Sequence, residues 1–148
     1  MKRVFYIVMI SISVWGCSAD DAVLPSNNVI PNIRYISITP EIVNQFTDSV
    51  IVTFEYEDGD GDLGHKNPDI LLLEVQDARL TNPDFYYVPP MAPIGSNIKI
   101  KGSMQLRLRN TFLLGSGGDE RTQYDIRMKD RAGNWSNYIQ TKEITIKK

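Results

Sequence analysis

Hydrophobic and polar residues alternate along most of this chain with a period of two. In Ser49 to Tyr56, the side chains Val50, Val52, Phe54 and Tyr56 share one face, while Ile51, Thr53 and Glu55 share the other. That is the pattern of a strand with one buried side. The folded part starts at about Asn32, and Ile33, Tyr35 and Ser37 interleave with Arg34, Ile36 and Ile38 in a first strand closed by Thr39-Pro40. Leu71 to Asp77 is richer in apolar residues, which predicts a central strand. Phe85 to Val88 follows, stopped by Pro89-Pro90, and then two separate strands are predicted over Asn97–Lys101 and Met104–Arg109. Gln123 to Lys129 places Tyr124, Ile126 and Met128 inward, and Tyr138 to Lys147 closes the pattern. Apolar residues never recur at three-and-four spacing over a helix length. Seven or eight short strands punctuated by Gly, Pro, Asn and Asp predict an all-β fold, an antiparallel β-sandwich over residues 32–148. A closed barrel is the alternative arrangement of the same strands.

The first seventeen residues follow another logic. Met1-Lys2-Arg3 is positively charged, and Val4 to Val14 is an apolar run. It is too short for a permanent membrane span and has the length of a signal peptide core. It ends in Trp15-Gly16-Cys17. A small residue before a cysteine at this place resembles the lipobox of bacterial lipoproteins, although Trp15 is bulkier than the family usually places there. The resemblance implies a signal peptide over residues 1–16, cleavage before Cys17 and lipidation of its thiol and new amino terminus. Several acyl chains, each adding about 0.8 kcal/mol per buried methylene, hold a protein on a membrane durably. An ordinary secretory leader is the competing reading. Residues 17–31, with two prolines and several polar residues, read as a tether. By the same resemblance, Ser18 implies sorting to the outer membrane. The acidic pair Asp20-Asp21 resembles the surface-export tag of Bacteroidota-type lipoproteins, with a periplasm-facing position as the alternative.

The folded part resembles bacterial immunoglobulin-like and fibronectin type III-like domains. Gly118-Asp119-Glu120 before Tyr124 is similar to the tyrosine corner of that family, and Ile126 stands where a true immunoglobulin domain carries its second cysteine. The resemblance is therefore to the disulfide-free relatives, consistent with a single cysteine in the whole chain.

Charge and composition narrow the partners. Formal net charge is −2, and removal of Lys2 and Arg3 with the leader leaves fourteen basic against eighteen acidic residues. Such a surface is unsuited to nucleic acid. One cysteine and one histidine, His65, cannot build a Cys/His zinc cluster. His65 has no serine or cysteine nucleophile near it in sequence and reads as a polar surface residue rather than a general base.

Two loops carry candidate chemistry. In Asp58-Gly59-Asp60-Gly61-Asp62-Leu63-Gly64 three carboxylates alternate with glycine. Glycine lets the backbone bend so that alternate side chains converge, as calcium loops require. Asp69 falls where an EF-hand-type loop has its last acidic ligand, but Leu63 replaces the turn glycine and the flanks are strands, so this is no EF-hand. A solvated acidic turn is the competing reading. The second loop, Asp130-Arg131-Ala132-Gly133-Asn134-Trp135-Ser136, resembles the D-x-A-G-N-x-S turn of bacterial immunoglobulin-like repeats. That resemblance implies that Asp130 and Asn134 fix the turn through local bonds. Sandwich topology also brings both loops to one pole, which makes Asp58, Asp60, Asp62, Asp130 and Asn134 the candidate calcium ligands. Trp135, with Tyr86 and Tyr87, is the candidate ligand-binding set, through stacking on a sugar or anchoring of a protein; packing of Trp135 over the end of the core is the alternative. The expectation is a non-enzymatic lipoprotein, attached to the membrane through Cys17. Its domain binds another envelope or extracellular protein, or captures glycans with calcium. A small hydrolase using paired aspartates is the third and weakest reading.

Overall fold

The computed structural model describes residues 28–109 and 111–148. The expected signal peptide, Cys17 and the expected tether up to residue 27 lie outside the described residues. The elements are β1 Asn32–Thr39, β2 Ile42–Asn44, β3 Val50–Asp58, β4 Leu71–Asp77, β5 Asp84–Tyr87, β6 Ile100–Leu108, β7 Glu120–Thr122, β8 Tyr124–Met128, β9 Ile139–Gln140 and β10 Ile144–Lys147. They form an all-β sandwich. One layer has the order β1-β3-β6, and the facing layer has the order β5-β4-β8-β9. Three short strands, β2-β10-β7, extend the second layer along the last hairpin. There Thr141 bridges the gap in pairing, since its N–H donates to the Tyr124 carbonyl at 2.9 Å and its hydroxyl accepts from the Tyr124 N–H at 3.0 Å. The first strand changes layer at Pro40, which has no N–H for the ladder, and resumes as β2 in parallel with β10.

The core lies between the layers. β3 contributes the inward row Val50, Val52, Phe54 and Tyr56, which packs against Leu73 and Val75 of β4 and Ile126 and Met128 of β8. Each such side chain stabilises the fold by roughly 1.5–3 kcal/mol when removed from water.

Pairing alters the predicted pattern in three places. The two strands expected over 97–101 and 104–109 are one strand, β6. Gly102 does not break it, because it lies opposite Tyr56, and a Cβ there would come within 2.5 Å of the Tyr56 hydroxyl oxygen. In β1 a bulge between Tyr35 and Ser37 shifts the alternation, so that Ile38 is buried and Ile36 faces out. Tyr124 is buried, but its hydroxyl makes no bond to the Gly118–Glu120 turn among the described residues. Glu120 secures that corner instead, accepting from the N–H groups of Leu114 and Gly115 and pairing with Arg79, which also binds Asp77.

Candidate functional site

The acidic loop grows directly out of the core. Asp58 is the next inward-facing position of β3 after Tyr56, so the strand's own alternation aims a carboxylate into the end of the sandwich. It is only 1% exposed. The chain then turns tightly at Gly61, whose φ of +73° favours glycine and whose missing Cβ would lie 2.3 Å from the Ile98 carbonyl oxygen. The turn is closed by the Asp62 N–H, which donates to Asp58 Oδ2 at 2.8 Å. Leu63 plunges back into the core with no exposed surface and pairs with Asp130 in an isolated bridge.

Neighbouring segments fix the loop from several sides. The Ile98 N–H donates to the Asp60 carbonyl at 3.2 Å and the Met91 N–H to the Leu63 carbonyl at 3.1 Å. From the second loop, the Arg131 N–H donates to the Asp62 carbonyl, and the Ala132 N–H to Asp62 Oδ2 at 2.9 Å. The Arg131 guanidinium donates to the Gly64 carbonyl at 2.9 Å. The two loops thus form one rigid pole.

Within this frame, one carboxylate oxygen from each of Asp58, Asp60 and Asp62 lies within 4.8 Å of the others. The Oδ1 atoms of all three are buried without a hydrogen-bond partner. Desolvation, then the charge of Asp60, pushes the Asp58 carboxyl up to about 6; the Asp62 N–H bond opposes the rise, and the charges of Asp62 and Asp130 add to it. Burial and the charges of Asp130 and Asp60 raise Asp62 as well, despite Arg131 nearby. Oxygens sharing a cation at about 2.3–2.6 Å are necessarily within about 5 Å of one another. This cluster can hold a metal ion.

The remaining predicted ligands are placed differently. Asp130 is buried, but both its oxygens accept from Asn134, one from the backbone N–H at 2.7 Å and one from the side-chain amide at 2.8 Å. Asp130 and Asn134 therefore fix their own turn through these two bonds. Asp69 is exposed and outside the cluster. The His65 Nδ1 accepts from the Asn67 N–H at 3.0 Å.

The aromatic candidates do not form one strip. Tyr86 is half-buried against the core, which raises its hydroxyl pKa, whereas Tyr87 is 38% exposed on the opposite side of β5. Trp135 packs neither on Tyr86 nor over the end of the core. Its ring covers Arg127, with the guanidinium carbon 4.1 Å from the ring centre, and Lys129 at 5.4 Å. Tyr138, unnoticed in the sequence, covers the same Arg127 at 4.6 Å and donates its hydroxyl to Glu74. Arg127 in turn binds Glu74 through two nitrogens, at 3.0 and 2.8 Å. A single glutamate inside the apolar stretch Leu71–Val75 and an arginine in phase with it in β8 were the available signals.

Arg127→Ala is expected to cost about 1–3 kcal/mol, because Glu74, with its side chain only 8% exposed, loses its charged partner. Trp135 emission should shift to the red as its ring is uncovered. Urea titration followed by fluorescence reads both, and an unchanged midpoint would show that the stack is merely superficial.

With fold and site in view, the class is defined: an all-β sandwich with a three-carboxylate cluster at one pole. Searches of protein-family models and of curated proteins return no match to this chain.

Proposed function

We propose that this chain is a membrane-anchored, non-enzymatic lipoprotein whose sandwich is a binding or structural module stabilised by calcium at Asp58, Asp60 and Asp62. The observation that carries the calcium reading is the convergence of three unpartnered Oδ1 atoms, one of them on the nearly inaccessible Asp58. Carboxylates without donors are costly in a buried place, and a hard divalent cation offsets that cost. Flexible oxygen geometry and three charges favour calcium over magnesium, which dehydrates reluctantly.

The anchor rests on the sequence around Cys17. Asn28 and Ile30 run beside Glu57 and Gly59, so the tether joins the domain at the acidic pole. Cys17 lies eleven positions before Asn28, a reach of no more than about 40 Å. In the outer membrane, surface-exposed in this reading, the acidic pole lies near the lipid and the opposite pole projects away. The sandwich then serves an envelope or extracellular protein partner. Glycan capture by Trp135 with Tyr86 and Tyr87 has less support, since these three share no face.

The test is thermal melting of the full-length chain in detergent micelles, in excess EDTA and in millimolar calcium. Saturation at about a hundred times the dissociation constant adds roughly 2.7 kcal/mol, a shift of several degrees. Asp60→Asn combined with Asp62→Asn should abolish the shift, whereas a shift that persists in this variant would remove the cluster from the reading. Labelling of cells with radioactive palmitate tests the anchor, and Cys17→Ser should lose the label.

A further inference from the structure

We propose that the outer edge of β6 takes up an extended acidic peptide segment as an added strand. This goes beyond the calcium-stabilised module, because it names a surface and the chemistry of its partner. β6 is nine residues long and pairs with β3 alone. Its other edge makes no backbone ladder among the described residues, so a row of N–H and C=O groups is free to pair.

Two features select the occupant. Beneath the edge, between β6 and the facing edge strand β5, runs a groove of about 340 Å³ lined by Tyr87, Val88, Met91, Met104 and Leu106. A strand added to β6 sends every second side chain into this groove. On the outer face, Lys101, Ser103, Gln105 and Arg107 are exposed, with Lys99 and Arg109 just beyond the two ends. Lys99 takes Glu57 as its partner at 2.6 Å, and Lys101, Arg107 and Arg109 form no ion pair among the described residues. The edge therefore has one cation outside any ion pair at its first end, Lys101, two at the other, Arg107 and Arg109, and a neutral middle, on a chain whose overall charge is negative.

The same charges disfavour a second copy paired in the central registers. Antiparallel pairing of β6 with itself about Met104 sets Lys101 opposite Arg107, and parallel pairing sets each cation opposite itself; like charges opposite one another are destabilising. The complementary segment has acidic residues six positions apart, with apolar residues at the three alternate positions between them.

The experiment titrates a fluorescent peptide, Glu-Val-Thr-Val-Thr-Val-Glu, into the full-length chain in detergent micelles and follows anisotropy in EDTA and in calcium. Saturable binding in the micromolar range is expected, weakening with salt. Lys101→Glu with Arg107→Glu should weaken it about tenfold at low salt and confer binding on the peptide ended by lysines instead. Both residues are exposed, and since position 101 lies opposite Glu57 only a small fall in the melting temperature is expected. Two peptides test the strand geometry, one N-methylated at the valines and one at the threonines. Only one of them should lose binding, since alternate N–H groups face β6. No binding of the acidic peptide at millimolar concentration, or equal binding of both methylated forms, overturns the proposal. So does a β6-mediated dimer in sedimentation. None of these outcomes alters the calcium-dependent melting shift, so this inference and the calcium reading fail separately.

Discussion

Leu63→Ala is expected to lower stability by about 2–5 kcal/mol and Tm by roughly 10 °C, an effect foreign to an ordinary surface turn. Leu63 has no exposed surface and belongs to the main core cluster, although both its neighbours belong to the acidic loop. Truncation leaves a cavity at the end of the sandwich. It also frees the backbone between Asp62 and Gly64, which the Met91 N–H and Arg131 hold through carbonyl oxygens. Calcium affinity should fall with stability. Phe54→Ala provides the comparison, since Phe54 is equally buried but lies four residues before Asp58 in the middle of β3. It should destabilise the fold about as much while the calcium-induced increment in Tm persists. Chemical denaturation with and without calcium separates the two variants. A cost below about 1 kcal/mol for Leu63→Ala would mean that the loop is not anchored through this side chain.

The contrast between these two leucine and phenylalanine positions shows what a sequence read by itself can reveal. Phe54 is legible because alternation is local: each residue of β3 reports its facing through its neighbours two positions away. The same rule made three carboxylates at spacing two a visible candidate, and it places Asp58 on the inner face once β3 is extended by two residues. Leu63 was legible only as a departure from the calcium-loop pattern. Its burial depends on Asp130 and Met91, both distant in the chain. Arg131 is invisible for the same reason, since its guanidinium binds carbonyl groups some seventy residues earlier. Asp130 and Asn134 show a local reading instead. Topology brings them to the pole, and within it they bond to each other, as the D-x-A-G-N-x-S resemblance implied. In β1 the bulge after Tyr35 turns Ile38 inward while Ile36 stays outward, because register is set by the partner strand rather than by the segment itself.

Asp58→Asn is expected to stabilise the metal-free domain at neutral pH and, in the same protein, to remove its response to calcium. The carboxyl of Asp58 titrates near 6 in the folded chain against an ordinary value of 3.8, because burial and the charge of Asp60 disfavour ionisation. Between these values the native state binds more protons than the unfolded state, so stability falls as pH rises through roughly 4 to 6. The favourable contribution is fully present below the unfolded value and lost above the folded one. At pH 7 the ionised group costs the metal-free fold on the order of 2–3 kcal/mol. Asparagine removes that cost and keeps an oxygen for the Asp62 N–H, so a net gain of about 1–2 kcal/mol is expected once a weaker hydrogen bond is allowed for. In EDTA, the parent chain should therefore become more stable on acidification from pH 7 to 5, and the variant should show a flatter profile. In calcium the slope of the parent reverses, because protons compete with the cation for the same oxygens. The two pH profiles should approach each other near pH 5, where the cation no longer displaces the protons. Denaturant midpoints at four or five pH values, with and without calcium, give the result. A variant less stable than the parent in EDTA at pH 7 would mean that the Asp58 carboxylate is already compensated in the metal-free fold, and the electrostatic reason for a cation at this pole would be gone.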